Sequence, residues 1–96
     1  MVKHIVMFDF KKENKEENLL EAKVMLEALL ISIPSLKGME VGINFSPENR
    51  AMDLSIITEF EKKEDLSLYA NHPEHLAVVE FIKSVVTGSK VVDYSL

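Results

Sequence analysis

Residues 37–60 read KGMEVGINFSPENRAMDLSIITEF. Up to Phe45 every second residue is apolar, with Met39, Val41, Ile43 and Phe45 on one side. From Ala51 the alternation resumes through Met52, Leu54, Ile56, Thr58 and Phe60. A period of two belongs to a strand with one covered face. Between the two runs lies Ser46-Pro47-Glu48-Asn49-Arg50, a set of residue types that makes a turn. Two strands joined by so short a loop pair as an antiparallel hairpin. What flanks this hairpin then decides the architecture.

On its N-terminal side, Leu19, Ala22, Leu26, Leu29 and Ile33 recur at spacings of three and four, the mark of a helix with one buried face. Pro34 ends that helix and pushes Ile33 out of the helical region. The charged stretch Lys11 to Asn18 reads as a turn ahead of it. Residues 3 to 10 alternate, with His4, Val6, Phe8 and Phe10 on one face and Lys3, Ile5, Met7 and Asp9 on the other. On the C-terminal side, Glu61 to Ala70 reads as a short acidic helix. Pro73 opens a second helix reaching about Val86, which Gly88 stops, and Lys90 to Ser95 forms a last strand with Val92 and Tyr94 on one side. The order β-α-β-β-α-β is the split arrangement of ferredoxin-like α+β domains, with an antiparallel sheet and helices on one face. One domain spans 1–96.

Composition bears on the uncovered face. The chain has 96 residues, of which 47% are hydrophobic. So small a globule has little interior for that much apolar surface. The excess predicts a second buried face, and two sheets packed across a homodimer supply one. Net charge is -5 with no basic patch, which argues against nucleic acid or an anionic membrane as partner. Cysteine is absent, which removes disulfides, thiol catalysis and cysteine-bound metals. No apolar run approaches a membrane span, and Met1-Val2-Lys3-His4 leads directly into a strand pattern. The expected location is cytoplasmic.

Chemistry concentrates in Tyr69-Ala70-Asn71-His72-Pro73-Glu74-His75, which holds two of the three histidines. Proline without an N–H belongs at a first helical position, with Asn71 or His72 as cap and Glu74 in the first turn, where a carboxylate suits the helix dipole. His75 then heads the apolar stripe Val79, Ile82 and Val86. Such a ring is either a packed histidine bonded to a carbonyl or a general base set in a pocket, and spacing leaves both open. As a base it would take a proton beside a carbonyl, with the Tyr69 hydroxyl on the developing enolate oxygen. His4 either reaches solvent from the strand end or joins His75 at one cavity. On the strands that cavity would be lined by Val6, Phe8 and Leu54, and on the helices by Leu26, Leu29, Val79 and Ile82. His72 and His75 are three apart, and His4 could be a third metal ligand, but Pro73 interrupts the spacing and no carboxylate completes the set, so no metal is expected. The three glycines, at 38, 42 and 88, make no phosphate cradle.

Several of these stretches together resemble the stress-responsive A/B barrel domain. They are Lys3-His4-Ile5-Val6, Ile33-Pro34, Ser46-Pro47-Glu48-Asn49-Arg50, the Tyr69–His75 segment and Val92-Asp93-Tyr94. The resemblance covers nearly the whole chain and implies a dimeric α+β barrel of two face-to-face sheets. A plant polyketide cyclase of that family closes a poly-β-keto thioester by aldol condensation. By resemblance its catalytic histidine falls on His75, its pocket tyrosine on Tyr69 and a further pocket histidine on His4. Leu26 and Leu54 stand where that cyclase carries polar pocket residues, so the resemblance implies the pocket more firmly than the polyketide substrate.

The function expected is a homodimer whose small-molecule pocket binds an apolar, polyketide-like carbonyl compound, or acts on it without a cofactor as a cyclase or isomerase. Its base would be His75, its oxyanion donor Tyr69, and its orienting partner His4. The alternatives are a non-enzymatic, stress-associated structural protein and a cofactor-free monooxygenase.

Overall fold

The computed structural model describes all residues, Met1–Leu96. The elements are β1 (Val2–Phe10), α1 (Lys15–Ser32), β2 (Gly38–Ile43), β3 (Leu54–Phe60), α2 (Lys63–Ala70), α3 (Pro73–Val85) and β4 (Val86–Ser95). The strands form one antiparallel sheet in the order β2-β3-β1-β4. The fold is α+β and ferredoxin-like.

Register builds the covered face row by row. Val41, Ile56 and Val6 stand side by side across β2, β3 and β1, and Ile43, Leu54 and Phe8 form the next row. Val41, Ile56, Ile43, Leu54 and Phe8, with Val2, Phe10 and Phe60, meet Leu19, Ala22, Leu26 and Leu29 of α1 and Ile33 at its C-cap in one core. Thr58 lies in the same face and is fully buried, which costs nothing because its hydroxyl donates to the His4 carbonyl at 3.1 Å. The opposite face carries Ile5, Met7, Ile57, Val92 and Tyr94, flanked by a Lys3–Glu59 ion pair at 2.7 Å. Met7, Val92 and Tyr94 keep 39%, 51% and 40% of their surface exposed, so one protomer leaves this face uncovered.

Four local expectations differ. α1 begins at Lys15 rather than after Asn18. Asn14 takes a left-handed conformation (φ 53°), which an asparagine tolerates, and Glu16 and Glu17 then occupy the first turn. Helix α3 stops at Val85 because Val86 turns extended and enters β4 directly, so Gly88 already lies in a strand. Phe45 lies beyond the end of β2 and is 99% exposed rather than inward. The strands of the hairpin are shorter than the alternation suggests, leaving 44–53 as the connection. No helix is long and apolar enough to cross a membrane.

Candidate functional site

A continuous helix from α2 into α3 would bond the Glu74 N–H to the Ala70 carbonyl, four residues back. Pro73 prevents this. It has no N–H, and it holds His72 in an extended conformation (φ -68°, ψ 136°). The Glu74 N–H turns instead to the His72 ring, donating to Nδ1 at 3.1 Å. His72 is thus the cap of α3, and its Nδ1 is spent on the backbone. The Ala70 carbonyl, left over at the end of α2, accepts from His75 Nδ1 at 3.0 Å. A carbonyl can only accept, so His75 carries its proton on Nδ1 and leaves the Nε2 lone pair free.

Tyr69, the last buried residue of α2, packs between two rings. Its ring centroid is 5.3 Å from that of Phe60 and 4.4 Å from that of His75. Although the residue is only 3% exposed, its hydroxyl makes no hydrogen bond within the protein. Burial pushes the phenol up to about 12, so it stays a neutral donor at any ordinary pH. Desolvation lowers the pKa of His75, the Ala70 bond works against that, and the nearby rings of His4 and His72 add to the lowering. The two groups are thereby pushed towards complementary forms, a base without its proton and an acid with its own.

Both face a cavity of about 260 Å³ between the sheet and α3. Of the residues expected there, the structure brings together His4, Val6 and Phe8 of β1, Leu26 of α1, and Val79 and Ile82 of α3, with Tyr69 and His75. Two others fall elsewhere. Leu29 is one helical step past Leu26, about 300° around the axis, and is sealed in the core between helix and sheet. Leu54 lies in the row of Ile43 under α1 and borders a different hollow. That hollow, about 370 Å³, sits under the 44–53 connection and contains neither histidine nor tyrosine. It is larger, but His4, Tyr69 and His75 line the smaller cavity.

Three wall residues, Val78, Lys83 and Ser89, went unread in the sequence, and Ile56 and Val86 join them from the inward face of β3 and the end of the His75 stripe. Asp93 was also passed over. Its carboxylate is bonded to His4 Nδ1, the two residues lying opposite one another on β4 and β1. The signal was available, because pairing β4 antiparallel to β1 puts 93 across from 4, but only Val92 and Tyr94 had been assigned a side. No three His, Asp or Glu side chains converge as a metal-binding set.

The family description "Stress responsive A/B Barrel Domain" matches residues 2–96. The chain belongs to this family. Among solved structures, a protein from Bacteroides fragilis is 31% identical with a TM-score of 0.91, over 99% of this chain and 95% of that one. It is described as a dimeric protein of unknown function with a ferredoxin-like fold. A second dimeric ferredoxin-like protein of unknown function, from Jannaschia sp., is 25% identical with a TM-score of 0.84, covering 99% and 98%. The hydroxynitrile lyase of Passiflora edulis shares the fold at 20% identity and a TM-score of 0.85, covering 97% and 90%. No curated protein matches the chain.

The depressed pKa of His75 has a consequence for stability. In the unfolded chain this ring titrates at its ordinary 6.5, and in the fold it titrates lower. As pH falls, the unfolded chain takes up the proton first, so His75's contribution is full above 6.5 and is lost as pH drops through the folded value. Urea unfolding at pH 7.5 and 5.5 should show a larger fall in midpoint for the wild type than for His75→Gln, and proton NMR should place the His75 titration below 6.5. Parallel pH profiles, or a titration at or above that value, would contradict the assignment.

Proposed function

We propose that this protein is a homodimeric, small-molecule-binding A/B barrel that removes a proton beside the carbonyl of an apolar compound, as a cyclase or isomerase does, without a cofactor. The observation that carries the reading is the free Nε2 of His75 beside an unpartnered, neutral Tyr69 hydroxyl in one largely apolar cavity. A bond from His75 to a carbonyl would equally suit a purely structural histidine. The open space in front of the ring favours the chemical role, because a structural ring has no need of a cavity.

The proposed steps use only these side chains. The carbonyl oxygen of the ligand takes a hydrogen bond from the Tyr69 hydroxyl. His75 Nε2 removes the neighbouring C–H proton, and the electron pair of that bond moves onto the oxygen, where the hydroxyl stabilises the enolate. The imidazolium that forms keeps its Nδ1–H on the Ala70 carbonyl. It then returns the proton, either to a different carbon, giving an isomer, or to the new alkoxide once the enolate carbon has attacked a second carbonyl, giving a ring. His4, fixed by Asp93, borders the same cavity and orients the ligand. The apolar walls keep water from competing for the enolate.

The dimer reading is supported by the uncovered sheet face with Ile5, Met7, Ile57 and Val92, and by relatives described as dimeric. That the same fold carries a lyase elsewhere is a likeness of fold alone.

Two measurements test this. In heavy water, the wild type should speed deuterium exchange beside the carbonyl of an apolar methyl ketone. His75→Ala should lower that rate by about 10²–10⁴-fold and Tyr69→Phe by about 10²–10³-fold. Equal exchange by the wild type and His75→Ala would overturn the catalytic role. In sedimentation equilibrium the wild type should run as a dimer and the double variant Ile5→Glu, Val92→Glu as a folded monomer. A wild type that stays monomeric at high concentration would remove the proposed interface.

A further inference from the structure

The cavity has two chemically different ends. Helix α3 runs along it from His75 to Lys83, eight residues, which is about 12 Å at 1.5 Å per residue. On the sheet side β1 runs the same way from His4 to Phe8, about 13 Å at 3.3 Å per residue. The agreement makes the space a trough. Register confirms which groups share an end: Asp93 stands opposite His4, and Ser89 stands opposite Phe8. One end therefore holds His4, Tyr69 and His75, and the other holds Lys83 and Ser89. Between them lie Val6, Ile56, Val79 and Ile82.

Lys83 is the one lysine in the cavity lining, and like several other lysines of the chain it has no carboxylate within ion-pair distance. The Ser89 hydroxyl likewise has no partner within the protein. At the opposite end the Asp93 carboxylate already stands against His4 and would repel a second anion. Charge therefore gives the trough a direction.

We infer that the ligand is a chain-like, amphipathic oxo acid, seated with its carbonyl between Tyr69 and His75 and its terminal carboxylate on Lys83 and Ser89. The inference rests on the pocket reading above and adds the class and orientation of the ligand. Neither the catalytic groups nor the family likeness requires an anion. The ammonium and the hydroxyl that line the far end of the trough favour one.

The test uses a nine-carbon oxo acid, with a methyl ketone at one end and the carboxylate at the other, and its neutral methyl ester. Binding is followed through the ring resonances of His75 in the full chain. The wild type should prefer the acid by about two- to fivefold, the size of a solvent-exposed ion pair, with the preference shrinking as salt is raised. Lys83→Met should abolish the preference and Lys83→Glu should reverse it, while the ester binds all three proteins alike. Lys83 is exposed, so the variants keep the fold, which circular dichroism verifies. Equal affinity for acid and ester in the wild type, or an undiminished preference in Lys83→Met, would overturn the carboxylate assignment and leave the pocket standing. If neither compound perturbs His75, the pocket reading fails and this inference falls with it.

Discussion

Everything proposed for this protein depends on one hydrogen bond, from His75 Nδ1 to the Ala70 carbonyl. It exists because Pro73 breaks the chain between two helices. The break diverts the Glu74 N–H to His72 and leaves the Ala70 carbonyl without a backbone donor. The His75 ring fills that vacancy and is fixed by it. A side chain otherwise free to turn about two torsions is held with one nitrogen on the backbone and the other unclaimed. The same break brings Tyr69, at the end of one helix, against His75, at the start of the next, with ring centroids 4.4 Å apart. Seven residues thus place a base beside an acid, and each contact follows from the missing N–H of a proline.

The sheet supplies the other wall. Val6 and Ile56 share a row under α3, and Leu26 closes the side towards α1, so the imidazole and phenol look into a dry, narrow space. Dryness acts oppositely on the two groups: it keeps His75 unprotonated and keeps Tyr69 protonated. His4 enters from the strand that forms the floor, and its partner Asp93 comes from the edge strand β4. The edge strand therefore serves the site as well as extending the sheet. Its exposed Val92 and Tyr94 lie on the other face, where a second protomer would cover them.

Much of this was legible before any coordinates. The alternation in 37–60 and the periodicity of α1 fix the order of elements, because burial of one face leaves a direct imprint on composition. The start of α3 at Pro73 was equally plain, since proline has few permitted places, while the choice of His72 over Asn71 as cap needed the backbone. What escaped had a physical reason in each case. Phe45 continued the alternation of β2 but lies past its last paired residue, and pattern alone cannot see where pairing ends. Leu29 and Leu54 were correctly inward, yet inward covers both core and cavity wall, and only packing separates them. Asp93 and Ser89 needed the β1–β4 register, which long-range pairing sets and local sequence does not. Lys83 is an exposed cation in the last turn of α3, where the helix dipole alone would account for it. Its place at the end of the trough appears only when α3 is laid over β1.

The account turns on which nitrogen of His75 carries the proton. Long-range proton–nitrogen correlation NMR at pH 7.5 on the nitrogen-labelled protein reads this directly. The result expected is a neutral ring protonated at Nδ1, with Nε2 at the shift of an unprotonated nitrogen that moves when a carbonyl ligand enters the cavity. A ring protonated at Nε2 would mean that the Ala70 bond is not made and that no base faces the cavity, which contradicts the account at its root.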